Sequence, residues 1–568
     1  MKRRVFIIGL VLVIIITGGQ LLSVIASANG WHFGMTATSN ASISQGPGYS
    51  LVIKDDNSLW AWGAGILGDG INREYWHGYP AEDPVKIMDS VSSVAALRQR
   101  TFAITTDGDL YAWGAGALGD GLVRDWERPA LSPVRIMDSV VSITAYDTST
   151  TIGNYSAFAI RTDGSLWAWG MGQLGDGIAR EMFSDNPAVT PVKIMDSVVS
   201  VHTNYDRAFA IQTDGSLWGW GSTSQGLLGC GTIGDGDSYR ATPVKIMDSV
   251  TSVYIGSGST MVIKTDGSLW AWGVGAVGDG LHRDYRRPLT TPTKIMDDVI
   301  AMSDSKALKS DGSLWTWGFG IIGDGSVRDW ERPVLSPVKV MDSVAAILDT
   351  AYLSYSMVIK TDGSLWAWGS NLGGQLGDGS ASGYDYGSGE LSFYEDYGYE
   401  EDEFIFIDFD RSSPVMIIDS VVSASTFGHY NPASSFVIRT DGSLWAWGSN
   451  ESGQLGDGSM ERRLTPVKIL DGMNMSGSAA GPGSSPGSDP GSTPGSTPQP
   501  DPGASGNQPE QPGTPPGSSD VTVPVIPAPS LFGSRSVIMV LLLLIAAVML
   551  IVGTILVIVY FAKDRKTN

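Results

Sequence analysis

The chain contains little cysteine, little charge and, above all, little positive charge. Its 568 residues include one cysteine, Cys230, which excludes an internal disulfide and a metal site built from several cysteines. Lysine and arginine number 37 against 59 aspartates and glutamates, so the formal net charge is −22. A chain this acidic lacks the basic surface with which proteins bind nucleic acid. The composition therefore argues against nucleic acid as a partner.

Recognisable catalytic motifs are also missing. No phosphate-binding loop occurs, and the five histidines are scattered without the spacing of metal ligands. These histidines are His32, His77, His202, His282 and His429. We therefore predict no cofactor, no metal ion and no catalytic residue. An enzyme is not excluded, because the fold could bring carboxylates from distant segments together in one site.

The two ends of the chain carry long apolar runs. Residues 1–28 have the pattern of a signal peptide, in which basic residues precede an apolar run over 5–16 and the cleavage pattern Ala26-Ser27-Ala28; an uncleaved anchor is the alternative. Val537 to Phe561 is 25 residues long without a charge, which suits a transmembrane helix. The basic residues of the tail 562–568 predict that this tail is cytoplasmic.

Residues 473–534 differ in composition from everything before them. They are rich in proline, glycine and serine and contain no lysine or arginine. Such a segment buries too little apolar surface to fold, so we predict an extended stalk. Together with the terminal runs, the stalk predicts a single-pass protein of the cell membrane whose amino-terminal part lies outside the cell.

Residues 36–471 consist of one repeated unit. Its clearest copy, Met261–Gly273, reads Met-Val-Ile-Lys-Thr-Asp-Gly-Ser-Leu-Trp-Ala-Trp-Gly. Eight copies occur, 45 to 79 residues apart, and a period near 50 is typical of propellers and solenoids. The second aromatic residues of the eight copies are Trp62, Trp113, Trp169, Trp220, Trp272, Trp317, Trp368 and Trp447.

Each unit contains four short strand candidates, for example 84–88, 91–95, 101–104 and 110–113. Asp107-Gly108, between the last two, is a strong hairpin signal. The Leu-Trp-Ala-Trp strand is apolar on both faces, as expected when neighbouring units cover both. Four-stranded units that stack radially form a β-propeller. We therefore predict an all-β propeller of antiparallel blades, closed by pairing of the strand 466–469 with the first blade.

Units seven and eight carry the fullest form of the repeat. Trp368-Gly369-Ser370-Asn371 is followed by Gly-Gln-Leu-Gly-Asp-Gly at 374–379, and Trp447 to Asn450 by the same six residues at 453–458. Over about 435 residues this pattern resembles the regulator of chromosome condensation repeat. The resemblance implies that family's propeller, which usually has seven blades. Eight copies make eight blades our prediction and seven the alternative.

The resemblance does not imply that this chain has the activity of the family's founding member. That member acts on a nuclear GTPase and on chromatin, whereas this chain has the pattern of an exported, acidic protein. The histidine that often follows glycine in the family repeat is also absent from the matching stretches 46–50 and 256–259. Closer in setting are secreted bacterial propellers similar to this family, one of which inhibits β-lactamases by docking through one face. We therefore expect a bacterial surface protein.

The loop after Gly-Asp-Gly carries the candidate binding residues. In five units an arginine stands three residues after this motif, followed by an acidic residue and then by an aromatic residue, once by methionine. Equivalent loops of a propeller lie on one face, and Arg, Trp and Tyr are enriched in binding hot spots. In the alternative, each arginine pairs with a neighbouring aspartate and each ring covers a blade edge. The candidate ligand-binding residues are Arg73, Tyr75, Arg124, Trp126, Arg180, Arg283, Tyr285, Arg328 and Trp330.

Acidic residues form two further patterns. The eight Gly-Asp-Gly sites, such as Asp69, Asp120, Asp279 and Asp378, suit either a bound cation or an aspartate that braces its own turn, and we predict the turn.

An insert at 380–412 in unit seven concentrates ten carboxylates among aromatic residues. Charge repulsion predicts disorder there; a docking arm for a basic partner and a Ca²⁺-ordered loop are the alternatives.

These observations favour a binding module displayed at the cell surface, with an extracellular protein or a cell-wall glycan as its ligand. They leave two alternatives from other classes. One is a glycan-active or otherwise hydrolytic ectoenzyme with carboxylates at the propeller centre. The other is a purely structural envelope protein.

Overall fold

The computed structural model describes residues 34–38, 43–73, 79–125, 127–148, 155–178, 180, 186–204, 206–232, 239–329, 331–348, 355–385, 391–392, 405–427 and 433–473. They belong to the first of two units into which the chain divides, Met1–Asp489. The predicted signal peptide, the predicted stalk after Met473 and the apolar run at 537–561 lie outside these residues. Within the described part, no helix has the length and apolar character needed to cross a bilayer.

In the described residues, seven four-stranded antiparallel sheets and one sheet of four blade strands plus a fifth follow one another, which confirms the predicted eight-bladed propeller. Blades 1 to 4 consist of Ile43–Gly46, Tyr49–Ile53, Leu59–Gly63 and Ala81–Met88; Val91–Ala96, Arg100–Thr105, Leu110–Gly114 and Ala130–Met137; Val140–Thr148, Tyr155–Arg161, Leu166–Gly170 and Ala188–Met195; and Val198–Thr203, Arg207–Gln212, Leu217–Ser222 and Tyr239–Met247. Blades 5 to 8 consist of Val250–Ile255, Ser259–Lys264, Leu269–Gly273 and Leu289–Met296; Val299–Ser303, Lys306–Lys309, Leu314–Gly318 and Val334–Met341; Val344–Leu348, Tyr355–Lys360, Leu365–Gly369 and Arg411–Ile418; and Val421–Phe427, Ser434–Arg439, Leu444–Gly448 and Arg463–Leu470.

Short elements complete the described part. Four blades carry a two-stranded hairpin between their third and fourth strands, and the insert of blade 7 contributes three short strands. The hairpins are Gly65–Ile66 with Asn72–Arg73, Gly116–Ala117 with Val123–Arg124, Gly275–Ala276 with His282–Arg283, and Gly320–Ile321 with Val327–Arg328. The insert strands are Gly383–Asp385, Leu391–Ser392 and Ile405–Ile407, and Ser224–Gly226 forms one 3₁₀ turn.

The local sequence explains how each blade folds. Asp-Gly forms the predicted hairpin between the second and third strands, and in blade 3 Gly164 has a φ of +76°, which glycine adopts without strain. The Asp163 carboxylate accepts the backbone N–H of Ser165 at 2.9 Å and so braces that turn. The third strand, Leu166–Gly170, buries residues on both of its faces, including Trp169. Neighbouring blades therefore cover the strand on both sides, as its apolar pattern predicts.

The grouping of strands into blades differs from the predicted one. First strands of successive blades lie against each other around the axis, as Ile43–Gly46 does with Val91–Ala96. The fourth strand lies outermost and pairs with the tryptophan strand before it, because Trp60 stands opposite Lys86. The Pro-Val-Lys-Ile strand therefore ends its own blade instead of opening the next. A turn with Ser90 at a φ of +58° then leads the chain into the next blade's first strand.

Ring closure also differs from the prediction. The strand Arg463–Leu470 pairs within its own blade, so the expected pairing of 466–469 with blade 1 is wrong. Met473 closes the ring instead: it bridges to Lys54 of blade 1, its N–H donates to the Gly442 carbonyl at 3.0 Å, and it is 2% exposed. In blade 2, Val91 holds the equivalent place against Thr105. Met473 thus begins a ninth copy of the repeat, and that one residue completes blade 1.

A fifth strand lies on the axial side of blade 3. Gly34–Thr38 pairs antiparallel with Thr144–Thr148 of that blade's first strand, with Ala37 opposite Ala145. First strands form the inner edges of the blades, so the inner edge of blade 3 is covered by the chain's own backbone. Asp147, the carboxylate among the described first strands, is buried and pairs with Arg100 of blade 2.

Candidate functional site

The blade topology separates the connections of the propeller into two faces. Antiparallel strands place the turns between second and third strands at one end of each blade and the loops between third and fourth strands at the other. We call the first end the hairpin face; its turns lie at 55–57, 106–108, 162–164, 213–215, 265–267, 310–312, 361–363 and 440–442. We call the second end the loop face; it contains the described Gly-Asp-Gly segments and the candidate binding residues that the structure describes, which are Arg73, Arg124, Arg180, Arg283, Tyr285 and Arg328.

The five candidate arginines lie on the loop face, and each is engaged within its own loop. Arg73 donates two hydrogen bonds to Asp69, at 2.9 and 2.7 Å, and Arg180 forms the same pair with Asp176 at 2.8 and 2.7 Å. The remaining pairs are Arg124–Asp120, Arg283–Asp279 and Arg328–Asp324. The arginines therefore stabilise their loops, as the structural alternative expected of them.

These ion pairs set the protonation of the aspartates. Hydrogen bonds from Arg124 hold the pKa of the Asp120 carboxyl below its ordinary value, and burial opposes this only in part. For Asp69 burial acts to raise the pKa, but the bonds from Arg73 and the backbone outweigh it and the pKa is again lowered. The arginine positive charges are thus balanced locally by ionised aspartates.

The Gly-Asp-Gly aspartates brace their turns, as predicted. Asp69 accepts the backbone N–H of Ile71 at 3.2 Å, and Asp279 accepts that of Leu281 at 3.1 Å. Among the described residues, no group of three or more potential metal ligands occurs.

The expectation of eight equivalent Gly-Asp-Gly sites needs one correction, in blade 4. There Gly229-Cys230-Gly231 holds the structural position, and the Gly-Asp-Gly at 234–236 lies outside the described residues. A Cβ on Gly229 would meet the Trp272 ring at 2.7 Å, just as one on Gly456 would meet Trp62 at 2.5 Å. Both positions require glycine because a side chain would collide with the next blade's indole. Residues 229–231 are therefore the segment of blade 4 that is equivalent to Gly-Asp-Gly in the other blades.

Tyr285 is the candidate aromatic residue that the structure describes, and it lies at the tip of its loop in blade 5. Tyr285 is 59% exposed, with the Arg286 guanidinium 5.3 Å from its ring centre. Asp284 braces this tip by accepting the N–H groups of Arg286 and Arg287 at 2.8 and 2.9 Å. Blades 2 and 6 contain the same brace, from Asp125 to Arg128 and from Asp329 to Arg332, both at 2.8 Å. Trp126 and Trp330, which these braces flank, lie outside the described residues, as does Tyr75.

Sequence reasoning missed a set of exposed aliphatic residues on the loop face. They follow Gly-Asp-Gly directly in four blades and by one residue in blade 6, and their exposure runs from 49% to 71%. We call them the apolar arc: Ile71, Leu122, Ile178, Leu281 and Val327. Blades 7 and 8 instead have Ser380 and Ser459 after the motif, each bonded to its aspartate. The signal was present in the sequence, as a recurring apolar residue in a turn otherwise composed of glycine and aspartate.

The second tryptophan of each repeat links neighbouring blades through the loop face. Trp62 donates its Nε1–H to the Gln454 carbonyl of blade 8 at 2.8 Å, and Trp447 donates to the Gln375 carbonyl of blade 7 at 2.8 Å. In contrast, the buried Nε1 atoms of Trp113, Trp169 and Trp368 have no hydrogen-bond partner. Their preceding blades are 1, 2 and 6, all of which carry the two-stranded hairpin and a member of the apolar arc.

At the position where the family repeat often has histidine, this chain has other side chains, and these form hydrogen bonds to the next blade. Tyr49 donates its hydroxyl to the Leu97 carbonyl of blade 2 at 2.6 Å, and burial raises its pKa. Arg100 in blade 2 reaches Asp147 and the Tyr146 carbonyl of blade 3. Larger polar residues thus bridge successive blades without histidine.

The acidic insert is ordered at its base. Its described segments form a three-stranded sheet, so the expectation of disorder is wrong for these residues. Asp410 accepts the N–H of Asn371 at 2.8 Å and the hydroxyl of Ser382 at 3.0 Å, and burial raises its pKa. These bonds fix the insert to the loop face beside the Gly-Asp-Gly segment of blade 7.

Known proteins share the repeat. A family model described as "Regulator of chromosome condensation (RCC1) repeat" matches residues 441–485. The mitochondrial RCC1 domain-containing protein RUG3 of Arabidopsis thaliana is 28% identical over 261 residues, 44% of this chain and 56% of that protein. The human E3 ubiquitin-protein ligase HERC2 is 28% identical over 246 residues, 39% of this chain and 5% of that protein. The chain thus spans less than two thirds of the length of either relative.

Solved structures include the crystal structure of Kap60 bound to yeast RCC1 (Prp20). Its similarity covers 64% of this chain and 84% of that chain, at 18% identity and a TM-score of 0.42. At this level of similarity, the description of the fold depends on the strand pairing of this chain itself.

Proposed function

We propose that this chain, which matches the regulator of chromosome condensation repeat over residues 441–485, is an interaction module that binds its partner through the loop face and is displayed at a cell surface. The observation that carries the proposal is the apolar arc beside the exposed Tyr285. Exposed aromatic and aliphatic groups at equivalent positions of several blades give a partner repeated points of contact on one face.

The path of the chain supports the choice of face. Met473, the last described residue of the ring, bonds to Gly442 of a hairpin turn and so lies at the hairpin face. The loop face lies at the opposite end of the described blades. We propose that attachment through the segment after Met473 leaves the loop face free for a partner.

The binding experiment uses the full-length chain, immobilised through a carboxyl-terminal tag and exposed to secreted proteins, cell-wall material and a glycan panel. A loop-face variant combines Trp126→Ala, Tyr285→Ala and Trp330→Ala. We expect saturable capture by the native chain and its loss in this variant.

The matched control removes apolar groups from the other face. Val141, Val199 and Ile300 are 50% to 59% exposed at the hairpin end of the first strands. The variant with serine at all three positions is expected to bind as the native chain does. Capture retained by the loop-face variant but lost by this control contradicts the proposed face.

Surface display has a test of its own in Cys230, which is partly exposed and is the chain's one cysteine. A membrane-impermeant maleimide added to intact cells is expected to label the native chain and not the Cys230→Ser variant. Labelling that requires cell lysis contradicts an external propeller.

A further inference from the structure

We infer that the inner edge of blade 3 is a second binding site of the propeller, which takes an extended, uncharged peptide as an added β-strand. The strand Gly34–Thr38, which we call the axial strap, occupies this edge in the native chain and keeps other peptides out. The site lies on the axial side of the ring and does not depend on the proposed function of the loop face.

The first argument is the form of the contact. All five residues of the axial strap pair antiparallel with blade 3, from Gly34 opposite Thr148 to Thr38 opposite Thr144. The strap is the end strand of its five-stranded sheet, so blade 3 is its one paired neighbour among the described strands. A strand edge offers its main-chain N–H and C=O groups to any extended chain, and strand addition is a recurring mode of peptide binding. The strap therefore takes the place of an added peptide.

The second argument is the length of this inner edge. The first strand of blade 3, Val140–Thr148, has nine residues, whereas the first strands of the other seven blades have four to seven. Counted from the valine that opens each strand, Ala145 corresponds to Ala96, where the first strand of blade 2 ends. Residues 146–148 are therefore an extension, and three of the five pairs of the axial strap are made with it.

The third argument is that blade 2 holds the extension in place. Arg100 donates from Nε to the Asp147 carboxylate at 2.9 Å and from Nη2 to the Tyr146 carbonyl at 3.0 Å. The backbone N–H of Gln99 donates to the same carboxylate at 3.3 Å. Arg100 and Asp147 are both buried, and their opposite charges balance, which suits an uncharged strand at this edge. Because the edge is fixed from behind, a peptide binds it without the cost of ordering the edge.

The fourth argument is the short connection between the axial strap and the ring. Four residues, 39–42, join the strap to Ile43 of blade 1. A tether this short gives the strap an effective concentration in the millimolar range, so it excludes weakly binding peptides and yields to a peptide that binds more tightly. The strap sequence, Gly-Met-Thr-Ala-Thr, contains no charge and indicates the class of peptide that the edge accepts.

The test measures binding of a fluorescent peptide with the sequence of residues 33–40 to the full-length chain. The strap variant combines Thr36→Pro and Ala37→Pro. Successive N–H groups of a strand point in opposite directions, so one of the two prolines removes an N–H that faces blade 3. We expect saturable binding to this variant and binding to the native chain that is at least about tenfold weaker, because the native strap competes.

Two controls accompany this measurement. Asn40→Pro lies outside the paired residues and is expected to leave peptide binding as weak as in the native chain. A peptide with proline at the positions of Thr36 and Ala37 is expected to bind neither the native chain nor the strap variant.

Disulfide trapping locates the peptide on the strap variant with Cys230→Ser added. Ala37 stands opposite Ala145, and opposite residues of an antiparallel pair lie within disulfide distance. A peptide with cysteine at position 37 is therefore expected to form a disulfide with the Ala145→Cys chain. Ile255→Cys, at the corresponding sixth residue of the first strand of blade 5, is the matched control and is expected to remain unlinked.

A locked chain decides the question if unfolding midpoints show that the prolines unfold the protein. This chain combines Ala37→Cys, Ala145→Cys and Cys230→Ser. Oxidation is expected to join the axial strap to blade 3 and to abolish the weak peptide binding of the native strap, and reduction is expected to restore it.

Several results overturn the inference. They are absence of peptide binding to a folded strap variant, equal binding by that variant and the native chain, and trapping at 255 as strong as at 145. For the locked chain they are failure of the disulfide to form and peptide binding that oxidation does not change. Each of these results leaves the loop-face proposal standing, because capture by the loop face is measured separately.

Discussion

The loops between third and fourth strands in blades 7 and 8 differ from those in blades 1, 2 and 6 in how they pack against the next blade. In blades 7 and 8 a buried asparagine and a glutamine organise the loop, and the glutamine carbonyl accepts the next blade's indole N–H. In blades 1, 2 and 6 a short hairpin braced by an Arg–Asp pair replaces that network and leaves the indole unpaired. The loops of blades 7 and 8 thus provide a hydrogen-bond acceptor for the next blade's indole. The loops of blades 1, 2 and 6 lack this hydrogen bond and expose an aliphatic side chain to solvent.

The largest effect is expected from breaking the network of blade 8. Asn450 is fully buried, donates to the Ser459 and Glu461 carbonyls at 2.9 and 3.1 Å, and accepts the Leu455 N–H at 2.9 Å. Asn450→Ala leaves these groups without partners, so a loss of about 3 kcal/mol in the free energy of unfolding is expected. Urea unfolding of the full chain measures it, with Glu461→Ala, an exposed side chain in the same loop, as the neighbouring control. A loss below about 1 kcal/mol contradicts the importance of this network.

A paired substitution isolates the indole hydrogen bond. Trp447 and Trp113 are both fully buried, but only Trp447 has a partner for its Nε1–H. Each change to phenylalanine removes a similar apolar area, while Trp447→Phe also removes one of the two hydrogen bonds that the Gln375 carbonyl accepts, the other coming from the Ser435 hydroxyl. We expect Trp447→Phe to destabilise the chain by about 1 kcal/mol more than Trp113→Phe. Equal losses in parallel urea titrations contradict the difference between the loop types.

The Arg124–Asp120 pair predicts that the free energy of unfolding depends on pH differently in the native chain and in a variant without the pair. Arg124 holds the Asp120 pKa below its ordinary value, so the pair stabilises the chain above the unfolded pKa of about 4. That stability is lost as the pH falls through the lower folded pKa. Asp120→Asn is therefore expected to cost about 1 kcal/mol at pH 7 and nothing once Asp120 is protonated.

Unfolding curves of the native chain and Asp120→Asn at pH 7, 5, 4 and 3 check this behaviour. Asp125→Asn, in the same loop but outside the Arg124 pair, is the matched control. A difference between native chain and variant that stays constant with pH contradicts the brace.

The smallest effect on stability is expected in the arc itself. Ile71 is half exposed, so Ile71→Ser is expected to change the free energy of unfolding by no more than about 0.5 kcal/mol. Leu67, four residues earlier in the same loop, is fully buried, and Leu67→Ser is expected to destabilise the chain strongly. Thermal unfolding of the two variants compares them directly. Strong destabilisation by Ile71→Ser shows that the residue packs within the blade and removes it from the arc.

Much of the architecture was predictable because each local signal acts over a few residues. The spacing of the Trp-Gly motifs predicted eight units, and Asp-Gly at positions such as 163–164 predicted the hairpins that the structure contains. The loop-face position of Arg73 and Tyr285 followed from repeat symmetry. The partner of each arginine was foreseen as an alternative, since an aspartate stands four residues before it.

Other features were not predictable because they depend on which strand meets which across the ring. The Pro-Val-Lys-Ile strand reads equally well as the end of one blade or the start of the next, so strand pairing alone assigned it. Closure by Met473 depends on one residue reaching Lys54, which is more than 400 residues away in the chain. Blade 4 showed that a motif match at 234–236 does not identify the structural position, because packing against Trp272 selects Gly229.

The sequence by itself determined the all-β class, the eight-fold repetition and the turns, because strand periodicity and glycine conformation are local properties of the chain. Only the tertiary structure decided which indoles find an acceptor, that the loop arginines are neutralised, and that five aliphatic residues remain exposed on one face. Burial and hydrogen-bond satisfaction are set by neighbours distant in sequence, and in a closed ring each blade receives those neighbours from the blades beside it.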